Sequence, residues 1–164
     1  MYSVTKRIDF CYGHRLLDYR GKCQHLHGHN GRLEIELSSE GLDQRGMVRD
    51  FHEIKEMIQR WIDTHLDHKM ILREDDPALP SLRRLGEPCF TMADNPTAEA
   101  LARLIYGMAT GLGLPVTAVR LWETPGAFAT YQPPSSGPAR GSLRGRRAAR
   151  SQPRRARRQV APAS

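Results

Sequence analysis

Residues 30–38 read NGRLEIELS, and the fold turns on them. Leu33, Ile35 and Leu37 alternate with Arg32, Glu34 and Glu36, the period of two that gives a half-buried strand one apolar and one polar face. Residues 2–11 alternate in the same way and predict a second such strand. The stretch just upstream of the first, GKCQHLHGHN (residues 21–30), holds a cysteine and three histidines within seven positions. In an extended segment His25, His27 and His29 share one side. The spacing predicts that one strand ends just before His14 and the other begins just after His29. Antiparallel pairing of the two then brings His14 near His27 and His29.

Helical periodicity follows. Asp50 and Glu53 form a D-x-x-E capping signal ahead of Phe51, Ile54, Met57, Ile58, Trp61 and Ile62. The helix is expected to end near THLDHKM. A second is expected from NPTAEALARLI, with Asn95 as cap, Pro96 as first residue and Leu101, Leu104, Ile105, Met108 and Leu112 as its buried stripe. VTAVRLWE and FATYQ read as two further strands. Residues 69–94 read as an excursion with one helical turn. The order β-β-α-α-β-β predicts an α+β layer, with both helices on one face of an antiparallel sheet.

The 164-residue chain suits one domain with a core, and its apolar runs fall short of the roughly 18 residues of a membrane span. The N-terminus lacks the apolar region of a secretory signal, so a cytoplasmic protein without membrane partners is expected. Three cysteines, Cys11, Cys23 and Cys89, are odd in number and irregular in spacing, which does not describe a disulfide framework. The net charge of +7 is unevenly spread. From residue 133 onward there are nine arginines and no acid, and removing them leaves about −2 for residues 1–132. Residues 133–164, rich in Arg, Pro, Ser, Gly and Ala, are expected to be a disordered tail separate from a 1–132 domain. Its arginines suit RNA or another polyanion, but composition alone supports that reading, and a dispensable extension is the favoured one. A slightly acidic body is the wrong surface for nucleic acid, which disfavours a rival reading as a non-catalytic zinc protein that binds RNA through its tail.

His14, His27 and His29 form a three-imidazole set. Such a set leaves a metal position open, as catalytic zinc sites do, whereas structural zinc takes four protein ligands. Imidazoles without thiolate also admit iron, copper or nickel. His25 is expected not to ligate, since a fourth imidazole would close the site. The residues leave two readings of Cys23: a fourth ligand, or a catalytic thiol favoured as thiolate by the neighbouring cation and Lys22. Asp67 and His68 read as a carboxylate–histidine pair able to move a proton, or as a helix end with a dipole-matched charge.

The motifs FCYGHRL, CQHLHGH, LDH, NPTAE and WETP stand in an order and at separations that resemble the family of 6-pyruvoyl-tetrahydropterin synthase and 6-carboxy-tetrahydropterin synthase. The resemblance covers residues 1 to about 132, and C-x-x-x-H-G-H is its most specific piece. It implies a tunnelling fold: a four-stranded antiparallel sheet with two helices on one face, assembled into a barrel-like trimer or hexamer with the site between subunits. It places zinc on His14, His27 and His29, the catalytic thiol on Cys23 and the proton-relaying pair on His68 and Asp67. It gives Glu123 the anchoring of the pterin, with Thr97 and Glu99 near the pterin pocket. The chain departs from the simplest members in the length of residues 69–94 and in its arginine-rich tail.

The implied substrate is 7,8-dihydroneopterin triphosphate. The implied activity is that of a zinc-dependent lyase, the carboxy-forming enzyme, which releases acetaldehyde and triphosphate on the way to queuosine. The pyruvoyl-forming enzyme, which eliminates triphosphate without breaking a carbon–carbon bond, is the alternative.

Overall fold

β1 (Tyr2–His14) and β2 (His27–Ser39) pair antiparallel along their whole length, from Tyr2 opposite Ser39 to His14 opposite His27. Both strands are longer than the alternation predicted. The ladder of backbone hydrogen bonds carries on through His14 and His27–His29, so the histidines lie on the strands and not beyond them. The computed structural model describes residues 1–134, and the expected tail lies outside the described residues from 135 onward.

The remaining elements are α1 (Phe51–His65), β3 (Lys69–Arg73), α2 (Leu79–Arg84), β4 (Cys89–Met92), α3 (Ala98–Gly111), β5 (Val116–Thr124) and β6 (Ala127–Tyr131). The strand order is β4-β3-β1-β2-β5-β6. The four strands expected from sequence form a contiguous antiparallel block, β1-β2-β5-β6. The sheet is nevertheless six-stranded and mixed, because β3 pairs parallel to β1 and β4 parallel to β3. Both added strands, and α2, come from residues 69–94, where a single helical turn was expected. These strands are only five and four residues long, too short for alternation to stand out.

One apolar core sits between the sheet and α1 and α3, which therefore share a face. Ile8, Phe10 and Tyr12 of β1 and Leu33, Ile35 and Leu37 of β2 meet Ile54, Ile58 and Ile62 of α1 and Leu101 and Ile105 of α3. On the opposite face, charges pair across strands: Arg7 with Glu34 at 2.9 Å, Arg32 with Asp9 at 2.9 Å and Arg120 with Glu36 at 3.2 Å. Asp50 caps α1 by accepting the His52 N–H at 2.7 Å. Two details of α3 differ from expectation. Its cap is Thr97, whose hydroxyl oxygen accepts the Ala100 N–H, and its first residue is Ala98. Leu112 stands outside the stripe, 44% exposed just past the helix end. Among the described residues no helix is long and apolar enough to cross a membrane.

Asn95 has another use. Its amide accepts the Leu17 N–H at 2.9 Å and donates to the Leu17 carbonyl at 2.8 Å. Arg15 meanwhile forms a fork with the buried carboxylate of Asp76, and Arg73 donates to Asp18 at 2.9 Å. These three ties fasten residues 15–18, the start of the segment that carries Cys23, to the excursion and to the entry of α3.

Burial alone would raise the Asp76 carboxyl, but the Arg15 guanidinium and the Ala78 N–H hold it below the usual carboxylate range. A depressed folded value means that its contribution is complete above about pH 4 and is lost as pH falls through that value. Asp76→Asn is expected to cost about 3 kcal/mol, the low end for breaking a buried pair, because Arg15 keeps some solvent contact. Urea unfolding at pH 7 and at pH 3 checks this, with the gap between parent and variant shrinking at the lower pH.

Candidate metal centre and surrounding site

His14, His27 and His29 sit at one end of the helix-covered face, where the apolar run Ile8, Phe10, Tyr12 on β1 ends in an imidazole. Cross-strand pairing sets His14 opposite His27 and Tyr12 opposite His29, and partners in a ladder project to the same side. The three offer nitrogens that all lie within 4.8 Å of one another. Among the described residues no other group of histidines, cysteines and acids converges in this way.

His14 is 3% exposed. Its Nδ1–H donates to the Pro96 carbonyl at 2.7 Å, which fixes the tautomer and leaves Nε2 unprotonated. That Nε2 is buried and has no hydrogen-bond partner among the described residues. A buried polar atom left unpaired is costly, and a metal ion is the partner this donor set fits. Burial pushes the His14 imidazole below its ordinary value, against the opposing effects of Pro96 and Glu123, so the ring is neutral near pH 7, as ligation requires. His27 is held in the same tautomer: its Nδ1–H donates to the His25 carbonyl at 2.8 Å. His25 is not among the converging ligands, and its contribution here is a backbone carbonyl.

Glu123, near the end of β5, reaches the same place. Its Oε1 is 3.8 Å from His14 Nε2 and accepts the Tyr12 hydroxyl at 3.2 Å. Burial, together with the charge and hydrogen bond of Glu123, raises the Tyr12 phenol far above its usual range, so it stays the donor. Thr97 spends its oxygen on the α3 cap beside Pro96, and Glu99 is exposed in the first turn of α3.

Cys23 lies in a single 3₁₀ turn, Lys22–Gln24, half-buried, with its carbonyl accepting the Leu16 N–H at 2.8 Å. Its thiol is not part of the converged ligand group. Asp67 and His68 are built onto the edge of β1: Asp67 Oδ1 accepts the Cys11 N–H at 2.9 Å, and the His68 N–H donates to the Cys11 carbonyl at 2.7 Å. Asp67 Oδ2 accepts from His68 Nδ1 at 2.8 Å, leaving Nε2 of a 79% exposed side chain free to exchange a proton. Burial would raise the Asp67 carboxyl, yet the Cys11 N–H and His68 hold it below its usual range, so it stays ionised. His68 adopts φ +54°, uncommon for a residue with a Cβ, a local cost that the two bonds to Cys11 offset. His27, His29 and His68 line one cavity of about 700 Å³, together with Gly13, Gly28 and Met70.

Sequence reasoning missed Tyr12, Pro96 and the Arg15–Asp76 fork. Tyr12 was legible in principle, since two positions before His14 on a strand is the same face. Pro96 contributes through its carbonyl, which side-chain patterns do not reveal.

The 6-pyruvoyl tetrahydropterin synthase family model matches residues 3–134. A protein of Rickettsia conorii named 6-carboxy-5,6,7,8-tetrahydropterin synthase is 37% identical over 135 residues, covering 78% of this chain and 98% of the relative. Among solved structures, an uncharacterized protein from Wolinella succinogenes matches with a TM-score of 0.69 at 30% identity, over 80% of this chain and 98% of that one. The 6-pyruvoyl tetrahydropterin synthase of Caenorhabditis elegans shares the fold, with a TM-score of 0.60 at 22% identity, over 80% and 94% of the two chains.

Proposed function

Because the chain belongs to the 6-pyruvoyl tetrahydropterin synthase family, we propose that it is a zinc-dependent 6-carboxy-5,6,7,8-tetrahydropterin synthase. It would convert 7,8-dihydroneopterin triphosphate to 6-carboxytetrahydropterin, releasing acetaldehyde and triphosphate, as a lyase step toward queuosine. The observation that carries this reading is the converged His14, His27 and His29, with the buried and unpartnered Nε2 of His14, in a chain whose relatives bear that name. His14, His27 and His29 would hold zinc, which when bound supplies Lewis-acid polarisation of the substrate's side-chain oxygens.

The other roles belong to this chain's own groups. Cys23, as thiolate, takes a proton from a side-chain carbon of the substrate. His68, oriented by Asp67, relays another. Glu123 accepts two hydrogen bonds from the amino-pyrimidine edge of the pterin and so fixes its orientation, with Thr97 and Glu99 near the pterin. The chain would act as a homo-oligomer, a trimer or hexamer, whose site is completed between copies. The terminal strands β4 and β6 offer the sheet edges at which copies could pair.

Incubation with dihydroneopterin triphosphate tests the reading. Acetaldehyde should appear in step with triphosphate. Triphosphate without acetaldehyde would mark the pyruvoyl-forming reaction instead, and neither product would reject the enzyme reading.

Glu123→Gln keeps the size of the anchor and one acceptor but loses the charge-assisted pair. The expected cost is about 2–3 kcal/mol, or roughly 30- to 150-fold in pterin affinity, with zinc content and thermal stability unchanged. Calorimetric titration of parent and variant with 6-carboxypterin makes the comparison, and equal affinities would remove Glu123 from the site.

A further inference from the structure

We propose that Tyr12 is a positioning residue that sets the orientation of Glu123, by reaching across the intervening strand over a seat left open by Gly31. The proposal rests on the pterin-anchoring role of Glu123. Tyr12 is on β1 and Glu123 on β5, with β2 between them in the sheet. Two strand spacings are about 9.6 Å, so side chains on β1 and β5 meet only if one lies flat over β2. Gly31 of β2 makes room for this. A Cβ built there would stand 2.9 Å from Tyr12 Cε1, closer than carbon atoms pack. The ring is otherwise enclosed, 3% exposed, with Phe10 stacked at 5.4 Å and the imidazoles of His14 and His29 at 5.3 and 5.9 Å.

The hydroxyl meets one particular oxygen. Glu123 Oε1, the acceptor of the Tyr12 O–H, is also the oxygen 3.8 Å from His14 Nε2. A carboxylate this close to His14 Nε2 has two uses: it can turn in toward the imidazole, or face outward toward a ligand. A carboxylate only accepts hydrogen bonds, so the phenol donates and occupies a lone pair of the inward oxygen. That bond restrains rotation of the carboxylate and leaves Oε2, with the second lone pair of Oε1, for the N–H groups of the pterin. Preorganisation of this kind raises affinity by removing an ordering cost that the ligand would otherwise meet.

A double-mutant cycle on the full, metal-loaded protein tests this, with 6-carboxypterin as titrant. Tyr12→Phe keeps the ring and its packing, so metal content and melting temperature should match the parent, while affinity falls about tenfold. In turnover the loss should appear in KM with kcat nearly unchanged, whereas damage to the fold would lower the active fraction and hence kcat. Gly31→Ala, which displaces the ring without touching the hydroxyl, should reproduce the loss. In a Glu123→Ala background, Tyr12→Phe should change affinity less than twofold. An unchanged affinity in Tyr12→Phe, or a tenfold loss that persists without Glu123, overturns the proposal. A parent protein that does not bind 6-carboxypterin overturns the pterin reading as well, so the two failures are distinct.

Discussion

Cys23→Ala is expected to bind metal and pterin like the parent and to lose turnover by about 10²- to 10⁴-fold, the range that a positioned general acid or base contributes. The expectation follows from where Cys23 stands. Its thiol is outside the converged group of His14, His27 and His29, so its removal leaves all three imidazole donors in place. Its 3₁₀ turn is held by backbone, through the Leu16 N–H on the Cys23 carbonyl, and alanine keeps that bond. The effect should therefore fall on proton transfer and not on folding. Metal analysis, 6-carboxypterin titration and acetaldehyde release on the same preparation separate these quantities. Loss of metal together with activity would make Cys23 a fourth ligand, and the site a closed structural one.

Removal of any one of the three imidazoles should abolish both metal binding and turnover. His14→Ala, His27→Ala and His29→Ala are each expected to fall from one zinc per chain to a small fraction, while His25→Ala keeps the full equivalent. The contrast between His25 and His27 is the sharpest, because they are two residues apart. His27 presents a ring nitrogen, whereas His25 offers a main-chain carbonyl that alanine retains. Metal bound at about a hundred times its Kd stabilises the folded state by about 2.7 kcal/mol, so a chelator should lower the melting temperature of the parent by about 10 °C and leave the His27 variant unmoved.

Acid should mimic the chelator, since protons compete for the same nitrogens. His14 adds to this in one direction. Its folded value is depressed, chiefly by burial, so below the ordinary imidazole range the unfolded chain takes up a proton that the folded chain resists, and stability falls with pH. Zinc retained in His27→Ala, or lost in His25→Ala, would sink the ligand assignment.

Alternation alone placed the central strand pair, because burial on one face leaves a period of two in the residues themselves. It ended the strands too early, since histidine and glycine at positions 13–14 and 27–29 break the apolar rhythm without breaking the backbone ladder. The Asp50 cap on α1 was legible because it is a local bond, two residues long. The Asn95 cap was misplaced for the opposite reason. Its amide serves Leu17, 78 positions away, and no local window contains that competitor.

What the sequence determined by itself was therefore the chemistry on offer and much of its placement: three imidazoles on one strand pair, a nearby thiol, an Asp–His pair and a late glutamate. The motif order sufficed for the family. Tertiary structure alone decided how those groups are held. The Pro96 carbonyl sets the tautomer of His14, Asp76 and Asn95 fasten the segment leading to Cys23, and Tyr12 crosses over Gly31 to Glu123. The two short parallel strands of residues 69–94 belong to the same class. Each depends on atoms brought together by packing from distant parts of the chain. Hydrogen bonds to backbone carbonyls and steric room above a glycine leave no period in a sequence, because their strength depends on distance in space and not on separation along the chain.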